Sequence, residues 1–199
     1  MISLENALLS NLWVSLGLYA LVAVLDYILT LRNARVYRAS STDTKLHIKG
    51  SYEITPFFQA PVDQLKLFNP RFLLVLGLSA VLLVLVWYWS AAQNAPEVFA
   101  VLLGGFVIRS LIANLRHIEN AVWYRSLSNL GPQDVFHSEQ PRWLYIQSSA
   151  VNRLMLAALL LAASLLTGSV FLLGGCFACG GIALQQWRLS RRERRPVQA

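Results

Sequence analysis

The sequence predicts an all-α polytopic membrane bundle of about five transmembrane helices, on three observations. Four stretches (11–31, 72–90, 98–115 and 154–187) are apolar for long enough to cross a bilayer, and the last is long enough to cross it twice. A hydrocarbon core about 30 Å thick takes about 20 apolar residues in a helix, and a soluble domain rarely offers one such run. The 199 residues have a mean hydropathy of +0.50 and only 14% charged residues, which is the composition of a membrane protein. Basic residues, finally, gather in three clusters outside the apolar runs.

The first span, 11–31, is preceded by Glu5 and by no basic residue, and no small-residue cleavage site comes after it. It is therefore expected to be a retained span and not a signal peptide. Arg32, Arg35, Arg38, Lys45, Lys49, Lys66 and Arg71 lie beyond it. Within the loop 32–70, residues Lys45 to Lys49 alternate polar and apolar, Gly50-Ser51 marks a turn, and Tyr52 to Ile54 resume the alternation. That pattern predicts a small β-hairpin, which would have to lean on the helices or the lipid surface, with Phe57 and Phe58 as anchors. Prolines 56, 61 and 70 punctuate the rest of the loop, around a short helix expected between Val62 and Phe68.

The second span, 72–90, closes on Trp87, Tyr88 and Trp89, with Trp13 and Trp187 near other span ends; such aromatics mark headgroup depth. The link 91–97 has no basic residue. The third span, 98–115, continues past Arg116, because Leu111, Leu115, Ile118 and Val122 keep helical spacing. It is expected to end by Gly131-Pro132. Arg116, Arg125, Arg142 and Arg153 make the second basic cluster, in the loop 116–148 and just beyond it.

The final run decides the topology. As one helix it would be about 50 Å long and would carry Arg188, Arg191, Arg192, Arg194 and Arg195 across the membrane. A reversal near Thr167-Gly168-Ser169 returns that tail, 188–199, to the side of the other clusters. It gives spans at 149–166 and 170–187, with the N-terminus outside, the C-terminus cytoplasmic and every cluster obeying the positive-inside rule. The fourth span is short unless Arg153 snorkels, and a re-entrant hairpin is the fallback. The net charge of +7 is thereby explained by orientation, without nucleic acid. The chain forms a single membrane domain, and its setting is expected to be a bacterial inner (plasma) membrane.

Two ionisable residues lie within spans, Asp26 and Arg109. Each costs several kcal/mol unpaired in lipid. Counted from Arg32 and Arg116, both sit about 10 Å inside the boundary, so an intramembrane ion pair is expected between them. The alternative is a titratable element of an ion pathway.

Cys176 and Cys179, the only cysteines, sit inside the last run, which excludes a disulfide-stapled extracellular fold. As Cys-x-x-Cys they match the spacing of a redox pair. The bland reading fits better: Gly174, Gly175, Cys176 and Cys179 form a seam of small residues, expected to pack on Gly104 and Gly105 of the third span. His47, Glu53, His117 and His137 are weak candidates for a metal site, with no ligand spacing that singles them out. No phosphate loop, Gly-x-Ser-x-Gly or His-Glu-x-x-His string is present, and no cofactor is implied. The five tail arginines suit anionic lipid headgroups at about 1 kcal/mol each.

Three function classes remain open. A non-catalytic membrane subunit or scaffold acting through cytoplasmic loops leads, with the bilayer, anionic lipids and a homo-oligomer or complex partner as expected partners. A small oligomeric channel or transporter using Asp26 and Arg109 is second. A membrane enzyme, using the Cys pair or a loop His/Glu site, is third.

Overall fold

The computed structural model describes residues 4–41, 46–48, 56–128 and 138–194. The chain folds as an all-α bundle in which five helices are long and apolar enough to span a membrane, so it is a multi-spanning integral membrane protein. A short α1 (Leu4–Ser10) leads into α2 (Leu12–Ser41), where the Asn11 side chain caps the amides of Trp13 and Val14. After β1 (Leu46–Ile48) come α3 (Pro56–Asp63), α4 (Pro70–Ala92) and α5 (Pro96–Ser128). Then β2 (Ser138–Gln140), α6 (Arg142–Thr167) and α7 (Val170–Arg194) complete the described chain.

Local chemistry sets these boundaries. Asn69 caps α4 through its side-chain oxygen on the Arg71 amide, and Pro70 takes the first helical position, where its missing N–H costs nothing. Asn94, at φ 53°, turns α4 into α5 within three residues. Gly168, at φ 70°, caps α6, its amide donating to the Ser164 carbonyl, while the Ser164 hydroxyl donates to the Ser169 carbonyl. The final apolar run is thus two helices of 26 and 25 residues, each about 38 Å long and able to cross a bilayer. A re-entrant hairpin is not needed. Because α6 begins already at Arg142, the fourth span is not short, and Arg153 does not snorkel: it is buried.

Several local expectations are corrected. The short helix of the first loop is Pro56–Asp63, not 62–68, because Asn69-Pro70 is committed to starting α4. The strand 46–48 pairs in parallel with Ser138–Gln140, joining the two loops of the basic end, while its expected hairpin partner 52–54 lies outside the described residues. The Gly131-Pro132 stop also lies outside them. Residues 188–194 of the basic tail continue α7, which runs on to Arg194.

In the bundle α7 lies between α5 and α6, and α5 also packs on α2. The fourth helix is peripheral, touching α5 and α2 and burying only Ser79, Leu83 and Ser90. Two apolar clusters hold the helices. Leu8, Leu12, Tyr19, Leu83, Phe99 and Leu103 fill the half near the α4–α5 turn, with Phe171 packed against them. Tyr27, Leu31, Ala34 and Val62 fill the opposite, basic end, where the Tyr27 ring stacks on Phe72 at 4.5 Å and its hydroxyl donates to the Lys66 carbonyl.

Candidate functional site

Polar side chains gather inside the basic half of the bundle on two faces of α5. On the α2 face, Asp26, Thr30 and Asn33 recur at spacings of four and three, one stripe of a helix. Asn114 and His117 form the matching stripe on α5. The Asn114 amide donates to the Val22 carbonyl at 3.0 Å, and the Asn33 amide donates to the His117 carbonyl at 2.7 Å. Both partners advance together along the chain, so α2 and α5 run parallel.

His117 is the hub of this seam. Its Nε2 lies 2.9 Å from the Thr30 hydroxyl and 3.1 Å from Asp26 Oδ1. Thr30 spends its proton on the Asp26 carbonyl at 2.8 Å, so its oxygen accepts from Nε2, which fixes the protonated nitrogen. That assignment explains why Asp26 Oδ1, although within ion-pair distance, is buried without an aligned hydrogen bond. The rest of the carboxylate is less enclosed, the side chain being 35% exposed.

The ion pair expected between Asp26 and Arg109 is not formed: Asp26 faces His117, and Arg109 is exposed. Register is the reason. The α2–α5 hydrogen bonds join residues 84, 87 and 92 apart, centred on 88, which sets Asp26 beside Asn114 and Arg109 beside Leu21. Arg109 is therefore five residues, about 7.5 Å, too far along the axis. It also lies about 140° round α5 from Asn114.

The other face of α5 carries Arg109 and Arg116, two turns apart. Arg116 is turned inward, its guanidinium donating to the Ser149 hydroxyl and lying 5.0 Å over the Tyr145 ring, both on α6. One turn beyond Ser149 is Arg153, 8% exposed, with Nη1 buried and without a hydrogen-bond partner. Cys179 of α7 lies against it. The basic end is closed by Arg142 and Glu193, 3.6 Å apart, by Ser190 donating to the Trp143 carbonyl, and by Arg194 and Arg191 over Trp143 and Trp187. Arg188 and Arg192 are exposed on α7, and Arg195 lies outside the described residues.

Nearer the other end, α5 and α7 meet at backbone distance. A methyl group at Gly174 would stand 1.8 Å from the Val101 carbonyl oxygen, and one at Gly104 1.9 Å from that of Phe171. Gly175 is filled by Ile108, and Gly105 faces the Gly174 carbonyl. Cys179 is buried and Cys176 half-buried, both as free thiols. Cys176 sits about 200° round α7 from Gly174, away from that contact.

Among the described residues no three His, Cys, Asp or Glu side chains come together as a metal site. His117 is committed to Asp26 and Thr30; Glu53 and His137 lie outside the described residues, and of His47 only its backbone, in β1, is described. Sequence reasoning missed Thr30, Asn33, Asn114 and the inward turn of Arg116 and Arg153. The available signal was the polar stripe 26, 30, 33 opposite 114, 117, at helical spacing inside apolar runs. No protein-family model, curated protein or solved structure matches this chain.

Proposed function

We propose that this chain is a non-catalytic membrane subunit or scaffold of a bacterial inner (plasma) membrane. Its N-terminus lies outside and its C-terminus in the cytoplasm, and it acts through the loops at its basic end. One observation carries the reading: on the facing sides of α2 and α5, polar groups at membrane depth tie those helices together. Asp26 meets His117, while Asn33 and Asn114 bond to backbone carbonyls of the facing helix. In lipid, where apolar burial gives helices no drive to associate, such bonds set the packing. Orientation rests on the shared end of the three basic clusters and the positive-inside rule.

The test is Asp26→Asn in protein purified and reconstituted into liposomes. The subunit reading expects a lower melting temperature and no ion flux above empty vesicles in either protein. A variant of normal stability with an altered flux would overturn it. A reporter fused after Ala199 is expected on the same side as one placed at Lys45.

A channel or transporter is the second reading, and its support is specific. The Asp26 side chain is a third exposed at membrane depth, and its buried oxygen has no aligned donor. Flux through wild-type protein that disappears in Asp26→Asn would favour it.

A further inference from the structure

We propose that Arg109, Arg116 and Arg153 form a binding site for a phosphate-type oxyanion between α5 and α6, at the basic end of the bundle. Both helices pack on α7 and meet each other through long side chains. Arg109 and Arg116, seven residues apart, share one stripe of α5, and Ser149 and Arg153, four apart, share one stripe of α6. Arg116 joins the faces by donating to the Ser149 hydroxyl while covering the Tyr145 ring.

What Arg153 lacks is an anion bonded to its Nη1. Arg153 is more than nine-tenths buried and its Nη1 has no partner. Arg116 and Arg109 are near enough for their charges to act on it, and so is Asp26 with the opposite sign. Among the described residues none of the three arginines is ion-paired, and the carboxylate at this depth, Asp26, is engaged by His117. Guanidinium groups near one another in a medium of low dielectric repel, and a buried cation with an unsatisfied N–H group is costly. An anion relieves both penalties. Guanidinium forks fit the paired oxygens of a phosphate better than any other side chain does.

The depth suits such a ligand. Arg116 is twenty residues beyond Pro96, about 30 Å along the helix, so it stands at the hydrocarbon boundary where lipid phosphates lie. Arg153 is fourteen residues from Thr167, about 21 Å, which puts its backbone about 9 Å deeper than that boundary. Exposed Arg109 leaves the site open on the outer side of α5. The ligand chemistry is a tetrahedral oxyanion, supplied either by an anionic lipid headgroup or by free phosphate.

The experiment uses the full chain in neutral detergent, titrated with inorganic phosphate, and in phosphatidylcholine nanodiscs with or without phosphatidylglycerol, the retained lipid being counted by native mass spectrometry. One anion is expected per chain. Retained phosphatidylglycerol with no phosphate binding identifies a lipid site, and saturable phosphate binding identifies a free-anion site; either supports the proposal. Arg153→Gln is expected to weaken the observed binding at least tenfold, with Arg153→Lys intermediate because it keeps charge without the fork, whereas Arg35→Gln, a surface change on α2, leaves it alone. If Arg153→Gln does not fold, Arg109→Gln carries the test, with at least a threefold loss expected. Binding of neither probe by the wild type, undiminished binding in the arginine variants that fold, or an equal loss in Arg35→Gln overturns the site.

Discussion

In the half near the α4–α5 turn, α5 meets α7 through glycines; in the basic half it meets α2 through polar side chains. The first seam is backbone against backbone, with no room for one added carbon at Gly104 or Gly174. The second is built from Asn33, Asn114, His117 and Asp26, whose bonds span the ordinary gap between two helices. One helix thus uses both devices available in lipid, close approach of small residues and interhelical hydrogen bonding. They differ in tolerance. Close approach fails abruptly when an atom is added, whereas a polar seam weakens in steps as its members are removed.

That difference is open to attack, and the largest effect is expected at Gly174. Replacing it with Ala puts a methyl group 1.8 Å from the Val101 carbonyl oxygen, so the helices must separate, at about 3 kcal/mol or more. Thermal unfolding in detergent reads this, and a Gly174→Ala protein as stable as wild type would mean that the two backbones do not touch there. His117→Leu comes next. It leaves the buried oxygen of Asp26 without its imidazole neighbour, and since part of that carboxylate stays exposed the loss falls below the 3–5 kcal/mol of a broken, fully buried pair, at about 2 kcal/mol.

The double variant Asp26→Leu with His117→Leu sharpens this point, because it removes the stranded charge and is expected to be more stable than His117→Leu alone. A double variant less stable than the single would show that the pair is not what matters. Asn114→Ala deletes one interhelical bond and is expected to cost about 1 kcal/mol, within the range found for such bonds in membranes. Gly180→Ala is the smallest change: nothing lies within 4 Å of the added carbon, so stability shifts by no more than about 0.5 kcal/mol, in the direction of helix propensity. A large loss there would mean that glycine matters along all of α7, and not only where α5 touches it.

How far the site was legible depends on which residue is asked about. Asp26 stood out in the sequence as a charge inside a span, and the small-residue spacing around Gly174 was visible too. The partner of Asp26 was not. Depth counted from Arg32 and Arg116 assumed that the two stand level, but the α2–α5 hydrogen bonds set Arg32 beside residue 120, about four residues beyond Arg116. The resulting error of about five residues set Arg109 beside Asp26 in place of Asn114, one turn from His117. Likewise Arg153, expected to reach for the surface, is enclosed, because α6 starts a full seven residues before the expected edge of its span and so carries Arg153 well inside the bundle. The helix of the first loop was displaced for a simpler reason, since the cap at Asn69 claims the residues after α3 for the entry to α4.

By itself the sequence determined the class of this protein: runs of about 20 apolar residues have no other stable use than to span lipid, and a run of twice that length interrupted by glycine and serine has to turn back. These are properties of each segment alone, set by its own hydropathy and backbone chemistry. Which polar groups meet was decided only in the tertiary structure. Side-chain encounters depend on the axial register and rotation of one helix against another, and those are set by where glycines let backbones touch and where a long arginine finds its hydroxyl, quantities that no segment contains on its own.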